Sequence, residues 1–213
     1  MSIYTLRHFQ APGRAETIKA ILDYTNVKWT QEVPVWPQEK VNQPTGRLPV
    51  LVETNKDGSR FVLSESMAIE QYLVCKHNLC VPEADRQQVA RQNELRYQLN
   101  DLYQLSILIN ATTEPTTRTG YIQRYQVLAK EMVTYHEKIL KENGSTGHYF
   151  GTKTTYVDLA LIATMHAIRC TFNKTMPEML EMLNKKNAPQ MNNVIMKMEQ
   201  DSKLAQYIDK CVC

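Results

Sequence analysis

The sequence predicts a small α/β domain followed by an all-helical domain. Strand-like and helical patterns alternate over residues 1–80, whereas only long helical patterns follow from residue 86 onward. The pattern changes at residues 81–85, where strand signals cease. We therefore expect one domain over residues 1–80 and a second over residues 86–213, because the chain is long enough for two modest cores.

The first elements follow a β-α-β order. Residues 3–9 alternate apolar with polar side chains and lead into a proline and glycine turn at residues 10–13, which is typical of a strand and a loop. Residues 14–24 place apolar side chains at helical spacing. An extended pattern resumes at residues 27–29.

A proline-rich connection and a hairpin complete the first domain. Residues 33–46 contain Pro34, Pro37 and Pro44 and cannot form one regular element. Residues 48–52 predict a strand with a proline near its start, and a good turn joins it to a strand over residues 60–63. Residues 64–73 begin with three oxygen-bearing side chains and continue with helical periodicity.

Long helices fill the second domain. Apolar periodicity predicts helices over residues 88–109, 121–142 and 156–170. Residues 111–117 and 144–147 are predicted loops by composition. An S/T-x-x-D pattern formed by Thr155 and Asp158 predicts a capping box at the start of the third of these helices.

Charge and the N-terminus favour a cytoplasmic protein. Lysine and arginine total 25 against 22 aspartate and glutamate residues, so the charge balance indicates neither a nucleic-acid nor a membrane partner. No long apolar run follows a basic start, so we expect neither a signal peptide nor a membrane anchor.

The five cysteines are expected to be mostly reduced thiols, since cytosolic redox buffers oppose structural disulfides. Cys75 and Cys80 flank His77, but these ligands are too few and too loosely spaced for zinc, so no metal is expected. Cys211 and Cys213 resemble a prenylation ending in outline and are interpreted as exposed thiols of a flexible tail.

Four short motifs follow one another in the first domain, and they start at Tyr4, Trp36, Gly46 and Ser64. They read YTLRHF followed by GRAE, then WPQEK, GRLPVL and SESMAI. In this order and at these intervals they resemble the cytosolic glutathione transferases, most closely the sigma-like branch with its haematopoietic prostaglandin D synthases and S-crystallins. The resemblance covers essentially the whole chain. It implies a thioredoxin-like N-terminal domain, an all-helical C-terminal domain and a homodimer.

The resemblance also implies a set of glutathione-binding positions. Pro49 resembles the family's cis-proline, which turns the backbone of Leu48 outward to pair with the cysteinyl part of glutathione as an added strand. An ordinary trans proline at a strand edge is the alternative. Trp36 and Lys40 are expected at the glycyl end, with Lys40 and Arg47 facing its carboxylate.

Glu65 and Ser66 lie where a helix is predicted to begin. By resemblance the Ser66 hydroxyl, its backbone amide and the positive helix end hold the γ-glutamyl carboxylate, while Glu65 faces the α-amine. Plain helix capping would use the same residue types. Arg14 is expected to support the thiol site, and Asp101 to reach across the dimer interface toward the partner's ligand.

His8 departs from the family pattern. The sigma-like residue before Phe9 is a tyrosine that donates a hydrogen bond to the glutathione sulfur, and each unit by which the thiol pKa falls requires about 1.4 kcal/mol. A neutral imidazole can donate one N–H and an imidazolium adds charge, so His8 is the expected catalytic residue, with Arg14 assisting. Tyr4 has the same strand parity but lies about 13 Å away along an extended strand.

Two functions remain open at this point. In the first, glutathione is a co-substrate whose thiolate attacks a small electrophile, in a pocket between the first strand's loop and the helices of the second domain. Tyr103 and Met165 are candidates to line this pocket, although residues at helical spacing are more often part of the core. In the second, the protein holds glutathione or a hydrophobic ligand without turnover, because His8 replaces the tyrosine. Chemistry through a protein cysteine is disfavoured, since no cysteine lies near residues 10–14.

Overall fold

The computed structural model describes residues 2–81 and 85–210, and its chain divides into two compact units, Met1–Leu79 and Cys80–Cys213. The predicted boundary at residues 81–85 lies partly outside the described residues. The first unit contains four strands and two α-helices among its described residues, with a short 3-10 segment at Gln38–Asn42. Its elements are β1 (Ile3–Arg7), α1 (Glu16–Tyr24), β2 (Trp29–Glu32), β3 (Val50–Thr54), β4 (Arg60–Ser64) and α2 (Ser66–Lys76).

The strands form one mixed sheet in the order β2-β1-β3-β4. β1 runs parallel to β2 and antiparallel to β3, which pairs antiparallel with β4. Tyr4 and Leu6 of β1 are buried, as period-2 alternation requires of one face of a strand. The parallel pair needs a crossover connection, which α1 supplies, so the predicted β-α-β opening is confirmed.

At one end of this sheet, a buried carboxylate is paired. Glu53 of β3 is 1% exposed, and both the Lys76 ammonium and the Tyr72 hydroxyl donate hydrogen bonds to it from α2. Burial raises the pKa of the Glu53 carboxyl, but the hydrogen bonds from Lys76 and Tyr72 outweigh it and lower the pKa overall. These bonds tie α2 to β3.

The second unit is helical throughout its described part. α3 packs against α4 and α5, and α6 packs against α4 and α5. α5 is buried on nearly every side, which explains its almost continuous run of apolar residues. The helices are α3 (Arg86–Ala111), α4 (Pro115–Glu142), α5 (Tyr156–Phe172), α6 (Pro189–Gln200) and α7 (Ala205–Lys210), with 3-10 segments at Pro177–Leu183 and Ser202–Leu204.

The ends of these helices confirm one prediction and correct another. The Asp158 carboxylate accepts hydrogen bonds from the Thr155 backbone amide at 2.7 Å and hydroxyl at 2.9 Å, so the predicted capping box is confirmed. The predicted loop over residues 111–117 is too long. α4 already begins at Pro115, because the Glu114 carboxylate accepts hydrogen bonds from the amides of Thr116 and Thr117.

One cysteine is an exception to the expectation that the cysteines are mostly reduced thiols. Cys75 and Cys80 carry no disulfide, but Cys170 of α5 is disulfide-bonded. The expectation rested on the redox compartment alone, which says nothing about which side chains lie together. Cys211 and Cys213 lie outside the described residues.

Two features are absent from residues 2–81 and 85–210. None of the helices there is long and apolar enough to cross a membrane. No group of three or more histidine, cysteine, aspartate or glutamate side chains in the same part of the chain is arranged to hold a metal ion.

Candidate ligand-binding site

A pocket of about 360 Å³ opens on the first unit, within the range of small-ligand sites. It collects side chains from the proline-rich connection, the approach to β3 and the start of α2. Eight of the ten predicted site residues line it, together with Gly46, which the sequence reasoning missed. The lining residues are Arg14, Trp36, Lys40, Gly46, Arg47, Leu48, Pro49, Glu65 and Ser66.

One wall of the pocket is an open strand end. The Leu48–Pro49 peptide bond is cis, so the predicted cis-proline is confirmed. A second cis bond, Trp36–Pro37, was not predicted. β3 pairs with its neighbours only from Val50 onward, and no described residue supplies a hydrogen-bond partner to the backbone of Leu48. The Leu48 amide and carbonyl can therefore pair with an extended ligand.

Another part of the pocket lining is the N-terminus of α2, an eleven-residue helix. Its N-cap, Glu65, has φ 71° and ψ 115°, a conformation that costs a non-glycine residue roughly 1–3 kcal/mol. The Glu65 side chain makes no capping hydrogen bond, although it stands where a cap would act. Plain capping therefore does not account for this residue, and its exposed carboxylate is available to a cationic group. Ser66 adds a hydroxyl beside the first amides of the helix, where the dipole favours an anion.

The rest of the lining is mainly basic. Lys40 and Arg47 are exposed and contribute two cationic groups, and Arg14 contributes a third. Gly46 lies beside Lys40 with φ +62°, a conformation that favours glycine. The Trp36 ring packs edge-on against Phe9, with ring centroids 5.5 Å apart. Three cations, one carboxylate and a helix N-terminus suit a ligand with two carboxylates and an amine.

His8 lies directly after β1 and is not among the residues that line the pocket. It is 6% exposed, and its backbone amide donates a hydrogen bond to the Glu32 carbonyl. Its Nδ1 atom lies 3.0 Å from the Phe9 carbonyl oxygen. Burial, and to a smaller extent the Lys19 ammonium, lower the pKa of the His8 imidazole. The expected donor N–H of a neutral His8 is therefore already engaged with Phe9.

The other sequence candidates lie elsewhere. Tyr4 is buried, and its hydroxyl lies 3.3 Å from the Nε2 atom of His77, so it belongs to the packing of β1 against α2. Asp101 is exposed on α3 in the second unit. Met165 is a core residue of α5, and Tyr103 is half-buried on α3.

Gln31 is a residue near the site that sequence reasoning missed. Its side-chain amide donates hydrogen bonds to the Phe9 carbonyl at 2.9 Å and to the His8 carbonyl at 3.2 Å. A glutamine in a short strand carries no motif that would identify it. Only the parallel pairing of β1 with β2 brings it beside His8.

Two family profiles match the chain. Residues 9–87 match "Glutathione S-transferase, N-terminal domain" and residues 105–211 match "Glutathione S-transferase, C-terminal domain". Together they cover most of both units.

Individual proteins show the same likeness. The "Glutathione S-transferase class-mu 28 kDa isozyme" of Schistosoma japonicum is 39% identical over 77 residues, which is 35% of this chain and only 37% of that protein. The protein of the same name from Schistosoma mansoni is 29% identical over 165 residues, 74% of this chain and 75% of its own length. The solved structure "Fasciola hepatica sigma class GST" matches with a TM-score of 0.81 at 24% identity, over 100% of this chain and 98% of that one. At this identity the structural match shows the fold.

Proposed function

The chain belongs to the glutathione S-transferase family, and from this premise we propose that it binds glutathione in the pocket of its first unit and directs the thiolate to small electrophiles. The family and the two-part fold agree with the sequence predictions, which are confirmed. One observation carries the proposal. The side chains and backbone groups that glutathione requires converge on one pocket, although they come from segments far apart in the sequence.

The pocket chemistry matches glutathione group by group. The Ser66 hydroxyl and the α2 N-terminus are placed for one carboxylate, and Lys40 and Arg47 for the other. Glu65 is placed for the ammonium. The unpaired backbone of Leu48 is placed to hydrogen-bond the cysteinyl unit between them. Arg14 lines the same pocket and is assigned to support the thiol.

The second unit is proposed to supply the acceptor site for the electrophile. Tyr97 and Leu108 of α3 are 52% and 40% exposed, and apolar side chains of this kind suit a hydrophobic ligand. A homodimer is proposed from family membership. Light scattering after gel filtration would test it, and a monomer at working concentration would contradict it.

A second candidate function is glutathione binding without turnover. It is favoured by the hydrogen bond between His8 Nδ1 and the Phe9 carbonyl, since a neutral His8 then has no N–H left to donate to a thiol. Calorimetric titration with glutathione and an assay with an activated aryl halide separate the possibilities. Binding with conjugation supports the transferase, binding without conjugation supports the second candidate, and absence of binding contradicts both.

A further inference from the structure

Two cations of the pocket lie on the segment between β2 and β3, residues 33–49, whose regular structure is limited to the 3-10 turn at Gln38–Asn42. Lys40 and Arg47, which are proposed to face the glycyl carboxylate, are both exposed on this segment. Neither lies in a strand or an α-helix, so neither is placed by the hydrogen-bond ladder of a long regular element. The bonds within the segment therefore determine where the two cations lie.

Gln43 makes hydrogen bonds in both directions along this segment. Its backbone amide donates to the Lys40 carbonyl at 3.2 Å, and its carbonyl accepts from the Gly46 amide at 3.0 Å. Its side-chain amide donates to the Glu39 carbonyl at 3.2 Å. Gln43 is 7% exposed, so its side-chain bond is largely shielded from water. One buried residue thus joins the turn that carries Lys40 to the turn that leads into Arg47.

Glu39 extends these connections toward the start of the segment. Its backbone amide donates a hydrogen bond to the Val35 carbonyl at 2.8 Å, and its carboxylate accepts one from the Val35 amide. The two bonds enclose Trp36, which lines the pocket. Because the Gln43 side chain is bonded to the Glu39 carbonyl, it links the turn around Trp36 with the rest of the segment.

The Lys40 side chain lies along backbone that Gln43 holds. A Cβ atom placed on Gly46 would lie 3.6 Å from the Lys40 Cε atom and 3.8 Å from its Cγ atom, so the stem of the lysine packs against Gly46. The Gly46 amide is itself bonded to the Gln43 carbonyl. The backbone of Lys40 and the surface under its side chain are therefore both bonded to Gln43.

Stability does not explain why a glutamine occupies this position. The Gln43 Oε1 atom is buried and has no hydrogen-bond partner among the described residues. A buried oxygen without a partner costs stability, and a methionine of similar length would fill the space without that cost. The side-chain amide is better explained by the group that its nitrogen holds, the Glu39 carbonyl in the turn that carries Lys40.

We propose that Gln43 is a positioning residue for the glycyl carboxylate of glutathione, because it holds the turn that carries Lys40. The inference rests on the proposed function, since it requires glutathione in the pocket with its glycyl end at Lys40. Gln43 is not among the residues that line the pocket, so it acts on the ligand through Lys40. Its contribution to binding should therefore disappear when either the lysine or the charge of the glycyl carboxylate is removed.

The monoethyl ester of glutathione, in which the glycyl carboxylate is esterified, separates positioning from a general structural role. Calorimetric titration of the full chain with glutathione and with this ester gives the ratio of the two affinities. Gln43→Met should lower the affinity for glutathione about fivefold, the usual effect of one hydrogen bond, and leave the affinity for the ester unchanged. In the Lys40→Met background the same substitution should have no further effect on either ligand. Urea unfolding should show no loss of stability in Gln43→Met.

Gln92→Met is the matched control. Gln92 is also a buried glutamine, 1% exposed, and its side chain accepts one hydrogen bond, from the Val81 amide at 3.1 Å. Its Nε2 atom has no partner among the described residues, as the Oε1 atom of Gln43 has none. Because Gln92 lies on α3 in the second unit, its substitution should leave the ratio of the two affinities unchanged.

Each outcome decides the question. An equal loss of affinity for glutathione and for the ester in Gln43→Met, or no loss for either, would overturn the positioning role and leave glutathione binding intact. A wild-type protein that binds the ester as tightly as glutathione would also overturn it, because the glycyl carboxylate would then contribute nothing. If Gln43→Met does not fold, Gln43→Asn replaces it in the same titrations, since its amide is one methylene too short for the same bond. Absence of glutathione binding to the wild type would overturn the proposed function itself.

Discussion

Asp158 accepts a hydrogen bond from the backbone amide of Tyr149 at 2.9 Å, across the loop that precedes α5. The same fully buried carboxylate caps α5 through Thr155. One side chain thus joins the start of the most buried helix to the loop before it, and both ends of this connection lie in the second unit.

Replacing Asp158 by alanine should lower the free energy of unfolding by about 3 kcal/mol, because buried backbone donors lose their acceptor. Urea unfolding followed by circular dichroism measures the change. Asp201→Ala is a suitable control, since Asp201 makes a comparable bond to the Lys203 amide within a short terminal segment. Equal losses of unfolding free energy in the two variants would contradict the expectation that the buried hydrogen bonds of Asp158 stabilise the fold more than the bond made by Asp201.

Lys76→Met should destabilise the first unit by about 3 kcal/mol, because it leaves the buried carboxylate of Glu53 without its cation. Lys138→Met is the matched control. Lys138 is 67% exposed and lies 3.7 Å from Glu142, so its loss should cost less than about 0.5 kcal/mol. Thermal or urea unfolding compares the two, and a small effect at Lys76 would show that the Tyr72 hydroxyl suffices to stabilise Glu53.

Acid should destabilise the second unit through His136. This side chain is fully buried, its Nδ1 atom lies 2.6 Å from the Tyr149 hydroxyl, and burial lowers its pKa to about 3. Between the ordinary value of 6.5 and about 3, the unfolded chain binds a proton that the folded chain does not. Stability therefore falls as pH falls through this window, by up to about 1.4 kcal/mol per pH unit.

Urea unfolding between pH 4 and pH 7 tests this dependence, with His136→Gln as the variant that cannot titrate. The variant should lose less stability than the wild type as pH falls, even though it starts from a lower value. Parallel curves for the two proteins would show that other groups cause the acid sensitivity.

Lys40→Met should weaken glutathione binding about tenfold or more, because one charge-assisted hydrogen bond to a carboxylate is lost. Ser66→Ala should weaken it by a smaller factor, since the α2 amides remain. Lys130→Met removes an exposed charge from α4 in the second unit and serves as the control. Calorimetry gives the dissociation constants for glutathione. Equal constants for the Lys40 and Lys130 variants would show that Lys40 does not contribute to glutathione binding.

Much of the fold followed from local patterns. The strand alternation of β1, the turn before β4 and the capping box of α5 each depend on residues within a few positions of one another, so the sequence displays them directly. The start of α4 was missed because threonines and a proline are typical of loops, whereas here Pro115 occupies a first helical turn capped by Glu114. The disulfide of Cys170 was missed because a disulfide leaves no pattern in the residues that flank a cysteine.

The site was predicted less completely than the fold. The family motifs identified Lys40, Arg47 and Ser66 by position, and the structure brings them to one pocket. The motifs also drew attention to His8, but its chemistry could not be derived from its identity, because an imidazole can either donate or accept a proton.

The sequence by itself determined the family, the order of the elements and most of the residues around the pocket, since these depend on residue type and spacing along the chain. Only the tertiary structure decided what His8 can do. The pairing of β1 with β2 brings the Gln31 amide to the Phe9 carbonyl, and that carbonyl takes the hydrogen of His8 Nδ1. A tautomer depends on which groups meet in space, and groups from different strands meet only after the sheet has formed.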